Sequence, residues 1–81
     1  MNEITFVKAG TTQADINMFI GDLNYTIFYT DILGDLLAEA GIFKSKTEAR
    51  KNGYNVPIPP GFTQKKYGKN KMVITILNIK E

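Results

Sequence analysis

The segment NVPIPPGF, residues 55–62, limits how this chain can fold more than any other. Pro57, Pro59 and Pro60 have no amide donors, and each turns the residue before it towards extended geometry. Neither a helix nor a central strand can run through such a stretch. It reads as a rigid extended loop with a turn at Pro60-Gly61. Beyond it, FTQKKY and KMVITILNI flank Gly68-Lys-Asn, the pattern of a β-hairpin.

Ahead of the prolines the pattern is mixed. ITFVK (4–8) alternates β-branched and aromatic residues with polar ones and stops at Ala9-Gly10, as a short strand does. Thr11 and Thr12 supply N-cap hydroxyls for QADINMFIGDL, where Ile16, Phe19, Ile20 and Leu23 recur at helical spacing. NYTIFYT (24–30) holds good strand formers. Yet Phe28, Ile32, Leu36 and Ala40 form an i, i+4 row, which predicts a helix over at least 30–40 that starts earlier and ends with Gly41 at C′. Ser45-Lys-Thr-Glu48 is a capping box, opening a short helix over about 46–52 that Asn52-Gly53 ends.

The expected fold class is therefore α+β. It is a small single domain over 1–81, with an N-terminal strand, two to three helices, the proline-rich loop and a C-terminal β-hairpin. The expected core brings Phe19, Ile20, Leu23, Phe28, Ile32, Leu36 and Leu37 against Phe43, Val73 and Leu77. A chain this short buries only about 60–65% of its unfolded surface. With 43% hydrophobic residues and nine aromatics it can still fold unaided.

Much common chemistry is excluded. Without His or Cys, the usual nucleophile–base dyads, disulfides and thiolate metal sites are unavailable. Ser45 is the only serine and serves as a cap, and no glycine cluster has phosphate-loop spacing. The chain is expected to be no enzyme and to carry no cofactor or metal. Asp31, Asp35 and Glu39 are spaced four apart, so on a helix they would form one carboxylate row. A solvated face is the leading reading of that row, ahead of a dock for a basic surface or a Mg²⁺ site. No secretory signal or run of about 20 apolar residues is visible, so a cytoplasmic location and no membrane association are expected.

The net charge of +2 conceals a polarity. Residues 1–43 carry one base against six acids, a balance of −5, and residues 44–81 carry nine bases against two acids, a balance of +7. Eight of those bases, Lys44, Lys46, Arg50, Lys51, Lys65, Lys66, Lys69 and Lys71, fall within 44–71. Such a cluster suits a polyanion, helped by exposed amides at a helix N-terminus. Tyr54 and Tyr67 are interleaved with the bases and offer rings for stacking on unpaired nucleobases, or alternatively for packing.

LLAEAGIFKSKTEAR (36–50) closely resembles the opening of the alpha-L RNA-binding motif. That module is named for a ribosomal small-subunit protein and also occurs at the C-terminus of bacterial tyrosyl-tRNA synthetases. Leu36, Leu37, Gly41, Ser45, Lys46, Glu48, Ala49 and Arg50 match its pattern, and KKYGKNKMVITIL (65–77) resembles its closing hairpin. The middle departs, since KNGYNVPIPPG replaces an apolar pair, a glycine and a strand, and residues 1–29 have no counterpart. The resemblance implies RNA binding through Lys44, Lys46, Arg50 and Lys51, with Lys69 and Lys71 on the hairpin, and implies no synthetase activity.

The leading expectation is thus a non-catalytic nucleic-acid-binding module, for structured RNA ahead of DNA. The rival is a protein-interaction module, for example a small phage or mobile-element accessory protein that binds a host protein through its charged faces. A third is head-to-tail self-association of the −5 and +7 halves.

Overall fold

A computed structural model describes residues 3–68 and 72–79. The fold is of mixed α/β content, as expected, and divides into two compact units. One comprises Met1–Tyr29 with Pro60–Glu81, and the other is Thr30–Pro59.

The first unit is a four-stranded sheet with one helix. Strands β1 (Glu3–Lys8), β2 (Thr26–Phe28), β3 (Gly61–Tyr67) and β4 (Met72–Asn78) lie in the order β2-β1-β4-β3. The predicted hairpin pairs antiparallel from Gly61 opposite Asn78 to Tyr67 opposite Met72. On its other side β4 runs parallel to β1, from Glu3 beside Val73 to Val7 beside Leu77. Val73 to Asn78 are all buried, so both faces of β4 are covered. On one face Val7 and Leu77 pack with Ile16 of α1 (Gln13–Phe19) and its C-cap Ile20, and Ile79 lies against them. On the other, the Phe6 and Phe28 rings meet edge to face at 6.4 Å.

Helix α1 is shorter than its apolar spacing predicts. Thr12 caps it, the hydroxyl accepting from the Asp15 amide at 3.2 Å. Gly21 then takes the left-handed conformation at φ 67, which stops the helix and leaves Leu23 outside it. Of the expected core, Ile20, Phe28, Leu36, Leu37, Val73 and Leu77 are buried and Ile32 and Phe43 half-buried, whereas Phe19 and Leu23 are exposed.

The helix expected to start before residue 30 does not. Thr26–Phe28 instead joins the sheet, running parallel to Phe6–Lys8. Backbone pairing with β1 satisfies those β-branched and aromatic residues better than an i, i+4 row does. In the second unit α2 spans Leu33–Glu39, and Gly41 follows at φ 85, as predicted. The entry of α2 is fastened to the proline loop, where Ile32 and Pro57 face each other in a single antiparallel bridge. The Leu33 amide donates to the Val56 carbonyl at 2.9 Å, and the Ile58 amide donates to the Asp31 carbonyl at 3.0 Å. Both bonds are made by the neighbours of Pro57, so its missing N–H leaves no gap. Helix α3 (Lys46–Ala49) runs into a wide π-type turn over Arg50–Tyr54, where Gly53 at φ 95 reverses the chain.

Candidate nucleic-acid interface

The basic residues of the second unit sit on α3 and the turns around it. Ser45 is extended, and its hydroxyl accepts from the Glu48 amide at 3.1 Å. This is the capping bond the sequence predicts, and it occupies a first-turn amide that an anion would otherwise use. Ala49, fully buried, packs against α2 at Gly34, where a Cβ would lie 2.9 Å from the Tyr54 carbonyl oxygen and 3.3 Å from the Ala49 Cβ. Only glycine permits this approach.

Arg50 is committed to α2. One guanidinium nitrogen donates to both carboxylate oxygens of Asp35, at 3.1 and 3.3 Å. The Thr30 hydroxyl donates to Asp35 Oδ2 at 2.8 Å and accepts from the Ile32 amide at 3.2 Å. Burial pushes the Asp35 carboxyl up, but the Thr30 hydrogen bond, the Arg50 guanidinium and the Lys46 charge outweigh it and hold the pKa below the ordinary aspartate value. The carboxylate row read from sequence is therefore broken. Asp31 precedes the helix, Asp35 points inward to an arginine, and only Glu39 stays on an exposed helical surface. Among the described residues no group of three acids is placed to hold a metal ion.

Lys44, Lys46 and Lys51 are all exposed. Tyr54 is half-buried with its ring against Phe43, centroids 5.6 Å apart. The other predicted site residues belong to the sheet unit. Lys65 and Lys66 are exposed on β3, and the Lys65 ammonium lies 5.7 Å from the Tyr67 ring centroid. Tyr67 is itself buried, so its ring is not presented for stacking. Lys69 and Lys71 lie outside the described residues.

Sequence reading missed the Thr30–Asp35–Arg50 cluster. Its ion pair joins residues fifteen apart, a spacing that no helical or strand period marks. It also missed an apolar surface on the sheet unit, where Phe19 and Phe62 stack at 5.7 Å while 41% and 46% exposed, with Met18 and Leu23 also exposed. The only signal was that Leu23 falls beyond Gly21.

Among the described residues no helix is long and apolar enough to cross a membrane. No family model, curated protein or solved structure matches this chain, and nothing in those comparisons identifies an alpha-L motif.

Proposed function

We propose that this protein is a non-catalytic nucleic-acid-binding module whose ligand is structured RNA. The observation that carries this reading is the ion pair of Arg50 with Asp35. It ties the residue that follows α3 to α2, which supports a fixed backbone beneath the exposed Lys44, Lys46 and Lys51. A pre-positioned cluster of cations selects a particular arrangement of phosphates, where mobile lysines would accept any polyanion. Arg50 thereby shifts from a phosphate contact to a positioning residue, and Tyr67 leaves the set of stacking rings. Lys65 and Lys66 add exposed positive charge on β3. Charges beyond a Debye length of about 8–10 Å are screened, so the local cluster matters more to a phosphate than net charge does.

Fluorescence anisotropy with a hairpin RNA, its single-stranded form and the matching DNA duplex, each at two salt concentrations, tests the reading. The hairpin is expected to bind at least about tenfold tighter, or about 1.4 kcal/mol. If Lys44, Lys46 and Lys51 all touch phosphates, log K falls with log salt at a slope of about −2 to −3. Replacing the three lysines by alanine should remove both the preference and that share of the slope. Equal, weak binding of all three ligands that disappears together with salt would overturn the proposal.

A second reading is a protein-interaction module, such as an accessory protein acting on a host partner. The half-exposed Phe19–Phe62 pair favours it, through an apolar face rather than the charged one expected from sequence.

A further inference from the structure

The two edges of the sheet are treated differently by the chain. β3 forms one edge and carries exposed Lys65 and Lys66, the usual protection against strand addition. β2 forms the other, and residues 23–30, LNYTIFYT, contain no charge. They are rich in strand formers, and Tyr25, Ile27 and Tyr29 are 38%, 38% and 83% exposed.

The hydrogen-bonding direction of this edge follows from one contact. The Ala9 amide donates to the Phe28 carbonyl at 2.9 Å, so Phe28 faces β1. Alternation along a strand then turns the N–H and C=O of Ile27 away from β1, towards the free edge. The sequence around that point is symmetric, with Tyr25 and Tyr29 each two residues from Ile27.

We infer that the β2 edge is a self-association surface, where a second copy of this chain adds its own β2 antiparallel about a two-fold axis at Ile27. Ile27 meets Ile27 as a hydrogen-bonded pair within Thr26–Phe28, and where the flanking residues extend the strand on association, Tyr25 of each copy lies opposite Tyr29 of the other. Each copy thus offers the partner uncharged, aromatic cross-strand neighbours and no like charge. The same operation at β3 would bring lysines of one copy near those of the other, which argues for β2 as the edge used. The contact is short and well under the standard interface of about 1,600 Å², so the dimer is weak and depends on concentration. This inference is independent of RNA binding, because it uses neither α3 nor its lysines.

The chain has no cysteine, so one introduced thiol reports a single position. Hydrogen-bonded antiparallel partners have Cα atoms about 5.5 Å apart, within the range a disulfide spans. Under mild oxidation the full-length Ile27→Cys variant is expected to form a covalent dimer at least about tenfold faster than Lys66→Cys on the opposite edge. Sedimentation equilibrium of the unaltered chain should show dimer growing with concentration, and Ile27→Lys should remain monomeric. Tyr29→Lys, at a side chain too exposed to be needed for folding, should weaken the dimer without changing the circular dichroism. Three results would each overturn the inference. One is a monomer at all concentrations into the millimolar range. Another is equal crosslinking from both edges. The last is a dimer indifferent to both lysine substitutions.

Discussion

The sheet unit and the helical unit are held together by different physics. The sheet unit is assembled from the two ends of the chain, and its central contact sets Glu3–Val7 beside Val73–Leu77. That pairing closes a loop of most of the chain, so it rests on a long backbone ladder and a dry apolar layer to offset the closure entropy. The helical unit is one uninterrupted stretch, Thr30–Pro59. Its contacts close shorter loops, all within that stretch, and to the buried Leu36, Leu37 and Ile58 it adds a close approach at Gly34, a two-bond clasp around Pro57 and one inward-facing ion pair.

Charge sharpens the contrast. The −5 and +7 halves of the sequence do not survive as separate bodies. Thr30–Pro59 holds Asp31, Asp35, Glu39 and Glu48 with Lys44, Lys46, Arg50 and Lys51, and is neutral overall. The sheet unit holds Glu3, Asp15, Asp22 and Glu81 with Lys8, Lys65, Lys66, Lys69, Lys71 and Lys80, a balance of +2. The charge balance of half a sequence is thus a poor guide to the net charge of a folded unit.

The largest effect is expected from Leu77→Ala. This side chain is fully buried on the central strand, and such truncations destabilise by about 2–5 kcal/mol. Native-state hydrogen exchange should show β1 and β4 amides losing protection by that amount. Equal loss in α2 would mean that the two units unfold as one, and the comparison would break there.

A smaller effect is expected from Gly34→Ala, because a Cβ 2.9 Å from the Tyr54 carbonyl forces α2 away from the turn after α3. Overpacking of this kind destabilises by about 1–3 kcal/mol, against which alanine's better helix propensity recovers up to about 1 kcal/mol. Thermal melts should show net destabilisation, with exchange protection falling in α2 and α3 but not in β1 and β4. A neutral or stabilised variant would show that the close approach is not a constraint.

The smallest effect is expected from Asp35→Asn. Arg50 is nearly half exposed, so water recovers much of what the lost charge gives up, and the variant should be destabilised by about 0.5–1 kcal/mol near neutral pH. The folded pKa of Asp35 is lowered, so its contribution is fully present above the ordinary aspartate value and is lost as pH falls through the lower, folded one. Denaturant unfolding across this range should show the gap between parent and variant closing only under acid conditions. A gap that is constant with pH would mean that the carboxylate charge contributes nothing.

Wherever a signal is local, structure follows sequence closely. The Ser45 cap, the Gly41 and Gly53 stops, the hairpin and the proline loop each arise from neighbouring atoms, and each appears where its residues predict. Residues 24–30 were ambiguous because a helical row and strand-forming side chains coincide there. Pairing with β1 resolved the ambiguity, and no residue within the segment could have done so. The candidate interface divides in the same way. Lys44, Lys46 and Lys51 could be read as exposed bases from their setting, whereas the roles of Arg50 and Tyr67 could not, because both depend on residues elsewhere in the chain.

The amino-acid sequence by itself determined the α+β class, the caps and turns, the place where regular structure must stop, and the lack of residues for common catalysis. Those properties depend on backbone freedom and side-chain chemistry over a few residues. Only the tertiary structure decided that β1 lies beside β4, that Asp35 turns inward to Arg50, and that the charge polarity of the chain dissolves into one neutral and one basic unit. Each of these joins atoms that are far apart along the chain, and the energy that selects them exists only once those atoms are packed together.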